Sequence, residues 1–235
     1  MHVQIFLDTC IIYAYINPVD PFHKDSDNLI SVIENPTNFS LKGTIKDFRG
    51  VILNIVEDEF FQTLTHKMTQ VIEDFHQFYK TTDNFTGHDI KDHLNILKQL
   101  NPSLANFVEY ILKKPDLNSA LNIRGFYELL NKLRMIFRKK YLQLTQSKKI
   151  HFRHPQPIYL AILNDRAKNL QVTRLGLTDK KILVYADHLA LPNNPAHLVT
   201  VDQPMLNQRM IIMPQLPNHL DILPLTEFAR TYLKN

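Results

Sequence analysis

Two short apolar runs, one near each end of the chain, finish in the same way. Val3–Leu7 runs into Asp8, and His197–Val201 runs into Asp202. A short, β-prone run that does not alternate with polar residues suits a strand covered on both faces, as in a parallel sheet. Such strands deliver the next polar residue beyond their carboxyl ends, where open α/β sheets bind ligands. A third run, Gly50–Asn54, leads into a helical pattern from about Ile55 to Lys80. There Phe60, Leu64, Met68, Ile72 and Phe75 recur at helical spacings. Thr9–Ile16 reads as a helix stopped near Asn17-Pro18, and Pro21–Ile33 as another.

The same alternation returns late in the chain. Ile158–Leu170 reads as a helix. Thr178 reads as the N-cap of the next, with Asp179 in its first turn and Ile182, Leu183 and Ala186 facing inward. Ile211–Met213 reads as a short strand. Asp221–Leu225 reads as an edge strand, where Pro224 is tolerated, and Thr226 caps a last helix. The pattern predicts an α/β fold with a mostly parallel sheet and helices on both faces. The middle, about 81–149, is helical wherever it is legible: Asp89–Leu100, the segment after Pro102, and Asn118–Leu144. The expectation is a single domain over 1–235. Its core covers about 1–75 and 155–235, with an all-helical insertion at about 81–149.

Composition sets limits around this reading. The chain has 235 residues, 44% hydrophobic and 21% charged, enough apolar material for a core without staples. Cys10 is the single cysteine, so no internal disulfide forms and a reducing compartment fits. The opening residues carry no basic leader, and no apolar run approaches the roughly 20 residues of a membrane span. A cytoplasmic protein without membrane attachment is expected. The charge is uneven. Residues 124–181 hold 14 Lys or Arg against 3 acids, a balance of +11, and the remainder balances at −7, giving +4 in all. A basic segment beside an acidic remainder suits an enzyme of polyanions: one surface for phosphates, one carboxylate cluster for cations. Solvated helix faces would give the same counts.

The acids carry the chemistry. Asp8 and Asp202 follow strands, Glu59 lies early in a helix after Ile52–Val56, and Asp179 opens another helix. If they share the crevice at the strand ends, their mutual repulsion calls for a cation or shared protons. Oxygen-only ligation suits Mg2+ or Mn2+. Taken singly, each acid has a plainer role: a cap at Asp8, an exposed charge at Glu59, a favourable dipole contact at Asp179, a turn before Pro204 at Asp202. His88, Asp89, Asp92 and His93 lack the separated ligands of an HD-type metal site. His151 and His154 read as a basic, Pro-containing turn. Cys10 in place of a second Asp speaks against a haloacid-dehalogenase phosphatase, and five glycines leave no Gly-rich phosphate loop. Cys10 itself reads as buried filler.

Five blocks in order resemble the PIN-domain nucleases. Ile5-Phe6-Leu7-Asp8-Thr9-Cys10-Ile11-Ile12 is similar to that family's opening strand and Asp-Thr, with Cys10 where Asn is usual. Val51–Phe61 resembles the second block, and Glu59-Phe60 fits it better than Glu57-Asp58. Leu177–Ala186, Leu198–Asp202 and Ile222–Phe228 resemble the third, fourth and closing blocks. The resemblance covers roughly 1–75 and 155–235, and the helical middle departs from the family's short members. It implies a three-layer α/β/α fold and a metal-dependent ribonuclease. Asp8, Glu59, Asp179 and Asp202 would hold Mg2+ or Mn2+ or orient the attacking water. Thr200 would be a supporting hydroxyl behind them. Asp187, eight residues beyond Asp179 and about two turns along the same face, would supplement the site or, as its plainer role, be a surface charge. Lys132, Arg134, Arg138, Lys139 and Lys140, interleaved with Phe126, Tyr127, Phe137 and Tyr141, would grip a nucleic-acid backbone, RNA above DNA. A catalytically inactive RNA- or protein-binding module, a DNA-directed nuclease, an inhibitor protein and a homo-oligomer are the readings left open.

Overall fold

The computed structural model describes residues 2–45, 47–81, 106, 109 and 123–234. The expected helix Asp89–Leu100, the start after Pro102, residues 118–122 and the His88, Asp89, Asp92, His93 group lie outside them. Five strands form one sheet: β1 (His2–Leu7), β2 (Asp47–Leu53), β3 (Ile150–Arg153), β4 (Ala196–Thr200) and β5 (Asp221–Pro224). Their order is β3-β2-β1-β4-β5, and every neighbouring pair is parallel. β1 and β4 are nearly all buried, as central parallel strands should be. The helices are α1 (Thr9–Ile16), α2 (His23–Glu34), α3 (Asn54–Thr81), α4 (Ile123–Thr145), α5 (Pro157–Asn169), α6 (Leu177–Leu189), α7 (Gln203–Asn207), α8 (Arg209–Ile212) and α9 (Leu225–Tyr232).

The α/β expectation stands, and the arrangement is compatible with a three-layer sandwich. α2 lies against β2 and α9, while α5 packs on α6, which touches β2 and β4. α2 buries Ser26, Leu29, Ile30 and Ile33, an i, i+3, i+4, i+7 stripe. Gly50 shows how close that packing is. A Cβ there would sit 2.8 Å from Ile150 Cγ1 and 3.3 Å from Ile33 Cγ2, so only glycine fits. Phe48 meets Phe228 and Tyr232 at ring centroid distances of 5.7 and 5.5 Å, seating α9. His197 adds a polar tie, with Nδ1 3.1 Å from Asp221 Oδ2 and Nε2 hydrogen-bonded to the Tyr232 hydroxyl.

Four local expectations are corrected. Ile211–Met213 is not a strand: it falls in α8 and the 3-10 turn Met213–Gln215, because Pro214 follows a helical segment whose only buried residue is Ile212. The helix carrying Asp179 starts at Leu177 behind Gly176, so Thr178 lies inside it rather than capping it. Thr226 likewise lies inside α9, which starts at Leu225 behind Pro224. His151, read with His154 as a basic turn, lies in the edge strand β3 (Ile150–Arg153), and His154 follows it. The alternation in β3 of one buried apolar residue with polar ones is too short to register as a strand.

By contacts the chain divides into two compact units, Met1–Phe60 with Tyr141–Asn235, and Phe61–Lys140. The first holds the sheet. The described residues of the second are helical, in α3, in α4 and at 106 and 109. Among the described residues, no helix is long and apolar enough to cross a membrane.

Candidate active site

The strand order reverses direction between β1 and β4, and the chain leaves their carboxyl ends in opposite senses. That is the topological switch point at which doubly wound sheets open a crevice. Asp8 stands at one lip and Thr200 to Asp202 at the other, with Asp8 N–H donating to Val199 O at 3.3 Å. β2 ends alongside, and α3 begins at Asn54 directly after it, bringing Glu59 round on its second turn.

Each carboxylate is seated by a backbone or hydroxyl donor. Asp8 caps α1, its Oδ1 accepting from Thr9 N–H at 2.8 Å. Its Oδ2 accepts from Thr200 Oγ1 at 2.5 Å and from the Cys10 thiol at 3.0 Å. Thr200 in turn accepts from Asp202 N–H at 2.9 Å, so one buried hydroxyl joins both lips. Asp202 caps α7, with Oδ1 3.2 Å from Met205 N. Thr9 Oγ1 donates to Glu59 Oε2, linking α1 to α3. Asp179 Oδ2 accepts from Gly176 N–H at 2.9 Å at the start of α6. The plain capping roles of Asp8, Asp179 and Asp202 are therefore real. They are also the reason the acids gather: helix N-termini carry partial positive charge and donors, and each holds a carboxylate.

Asp8, Glu59 and Asp179 each feel the charge of a neighbouring acid. Burial raises the Asp8 carboxyl above its ordinary range, against the hydrogen bonds from Thr200, Cys10 and Thr9, and the charge of Asp202 adds to the rise. Burial also raises Glu59, and Asp8, Asp179 and Asp202 push it further, opposed by Thr9. Asp179 is raised by burial first and then by Asp202 and Asp8, with the Gly176 bond opposing. Among the three consecutive acids of α3, Glu57 and Asp58 act instead on the Tyr141 hydroxyl, which burial and their charges push upward. Glu59 is thus the one turned toward Asp8. The donor set is oxygen-rich and suits a hard divalent cation. Among the described residues, no three His, Cys, Asp or Glu side chains form a ready-made metal-binding group. The carboxylates are drawn to their own donors.

Two members escaped the sequence reading. Thr9 received no role, although a hydroxyl next to an acid at a helix start was a usable signal. Cys10 is more than filler: its sulfur lies 3.0 Å from Asp8 Oδ2 and 3.4 Å from Thr200 Oγ1, and its thiol is pushed up by burial and by Asp8. Asp187 is neither a surface charge nor part of the cluster. It is fully buried, 3.3 Å from Arg166 Nη2, and accepts from Asn218 N–H at 3.0 Å, pinning the loop before β5.

On α4, Lys132, Arg134, Arg138 and Lys139 are exposed and Lys140 is half-buried. Phe137 and Tyr141 are core residues, so neither is available for base stacking, and the side chains of Phe126 and Tyr127 lie outside the described residues. Comparison with known proteins found no matching family model, no matching curated protein and no matching solved structure.

Proposed function

We propose that the chain is a PIN-like, Mg2+- or Mn2+-dependent nuclease that hydrolyses phosphodiester bonds, with RNA the favoured substrate. The observation that carries this reading is the hydrogen-bonded bridge Asp8–Thr200–Asp202 across the β1/β4 switch point, with Glu59 and Asp179 within its electrostatic reach. Mutually repelling acids kept together at a ligand crevice fit a cation-binding role better than a structural one. The three-layer form and the order of the acid-bearing blocks fit the PIN resemblance.

In this reading Asp8, Glu59, Asp179 and Asp202 hold the ion, exchanging some of their present hydrogen bonds for ligation. The chemistry such an ion supplies is polarisation of the phosphoryl group and a nucleophile at neutral pH. Thr200 keeps Asp8 oriented and ionised by donating to it, and Thr9 does the same for Glu59. The exposed cations of α4 offer backbone contacts to the polymer.

The test is cleavage of a mixed RNA pool, with and without EDTA, by wild type and by Asp8→Asn and Asp179→Asn. Loss of cutting with EDTA and in both folded variants supports the reading. Wild-type cutting by both variants removes the site. One observation favours a second reading, a non-catalytic RNA- or protein-binding module: the carboxylates satisfy local donors and form no preformed cage among the described residues. RNA binding without metal-dependent cleavage is its signature. Matched RNA and DNA strands decide the polymer.

A further inference from the structure

We propose that Arg49, His151 and Arg153 form a phosphate-backbone track on the β2/β3 edge of the sheet, which leads a nucleic-acid strand to the acidic crevice. The inference rests on the nuclease reading and adds where the substrate lies.

Strand alternation fixes the track. The Cβ direction of Gly50 points at Ile33 of α2, so Phe48, Gly50 and Ile52 face that helix. Arg49 therefore faces the other side. The register Gly50↔Ile150, Val51↔His151 and Leu53↔Arg153 puts His151 and Arg153 on that same side. Arg49 and Arg153 are exposed and His151 half-buried. At the foot of the stripe Asp47 is already neutralised, both its oxygens within 2.9 Å of Lys149 Nζ. Among the described residues neither arginine has an acidic partner. Burial first, then Arg49, Arg153 and Lys149, hold the His151 imidazole below its ordinary range, a sign of how concentrated the positive charge is. Two arginines without an acidic partner, with a neutral imidazole between them to share a hydrogen bond, leave a surface that an anion stabilises.

The dimensions fit a polymer rather than one small anion. From the level of Arg49 to Arg153 is four residues of strand, about 13 Å at ~3.3 Å per residue. Arg153 pairs with Leu53, and the next residue opens α3, which carries Glu59. β3 lies two strand spacings from β1, about 10 Å, with both carboxyl ends at the same edge. A linear chain of phosphates can touch the stripe and reach the acids together, and an acidic side chain on a folded protein has no such continuity.

The experiment is fluorescence anisotropy of labelled single strands, RNA and DNA of matched sequence, in EDTA so that nothing is cut. Wild type is compared with Arg49→Ala/Arg153→Ala, both exposed positions, with folding checked by circular dichroism. The expected result is roughly tenfold weaker binding of both polymers. The slope of log affinity on log salt should shrink by about 1.4, two contacts at ~0.7 each for single strands. Unchanged affinity and slope, or a loss confined to one polymer, overturns the track. Tighter wild-type binding of poly-glutamate than of RNA also overturns it, in favour of an acidic protein. Because binding is read without metal, the result is separate from the nuclease reading, which is tested by metal-dependent cutting and its loss in Asp8→Asn and Asp179→Asn.

Discussion

Replacing Thr200 by Val keeps the shape of a fully buried side chain and removes one oxygen. No cavity forms, so the loss is polar. The 2.5 Å bond to the Asp8 carboxylate disappears, a charge-assisted interaction worth about 1.5–3 kcal/mol. The Asp202 N–H loses its 2.9 Å acceptor, adding about 1 kcal/mol or more where water cannot reach it. Together the variant should lie roughly 3 kcal/mol below wild type at pH 7. Thr200 is also the strongest of the hydrogen bonds that restrain the rise of Asp8, so its loss drives that carboxyl further up. The deficit should therefore shrink near pH 4, where a protonated Asp8 no longer needs the bond. Urea unfolding followed by circular dichroism at the two pH values measures this. Thr200→Ser, which keeps the hydroxyl, should recover most of the loss. A Thr200→Val protein within about 0.5 kcal/mol of wild type, the range of an ordinary surface change, would refute the reasoning.

Two further outcomes are expected. Asp8, Glu59 and Asp179 are all raised, by burial first and then by the charge of neighbouring acids, Asp202 acting on all three. A raised acid binds its proton more readily folded than unfolded, so stability is greatest at or below the unfolded value and falls as pH climbs through the folded one. Melting of the metal-free protein should accordingly drop as pH rises above the unperturbed 3.8 and 4.5 of Asp and Glu. At neutral pH, Mn2+ at a hundred times its Kd should restore about 2.7 kcal/mol, and the absence of any Mn2+-induced rise in Tm would count against the cation site. Asp187→Ala should cost about 1–3 kcal/mol by leaving the Asn218 and Leu220 N–H groups without their acceptor, while the part-exposed Arg166 turns to water. Its urea midpoint should fall while cleavage per folded molecule stays at the wild-type level; a midpoint near wild type would mean that the pin at Asp187 is dispensable.

The legible parts of this chain were those in which one residue property decides the outcome. Val3–Leu7 and His197–Val201 are mostly apolar because both their faces are covered, with Gln4, His197 and Thr200 as the buried polar exceptions, and that pattern identified two central strands and the acids beyond them. Gly50–Leu53 was legible for the same reason, although its true start at Asp47 is polar. β3 was not legible. It lies at the sheet edge, where a single buried residue, Ile150, is enough and the polar His151 and Arg153 occupy the alternate positions. Ile211–Met213 misled because a short apolar run has no period of its own, and the local Gln208 and Pro214 context made it helical. At the site, the positions of Asp8, Asp179 and Asp202 followed from strand and helix starts. What the sequence could not convey was side-chain direction. Thr200 bridging both lips, Thr9 reaching Glu59 from another helix, and Asp187 turning into the core each depend on contacts far away in the chain.

The central claim is that Asp8, Glu59, Asp179 and Asp202 share a divalent cation at the β1/β4 switch point. Anomalous diffraction from crystals soaked in Mn2+ addresses it directly. The account predicts a strong peak bounded by the carboxylates of Asp8, Asp179 and Asp202, lost in Asp8→Asn crystals. Full Mn2+ soaking with no peak there, or a peak only elsewhere on the molecule, would contradict it.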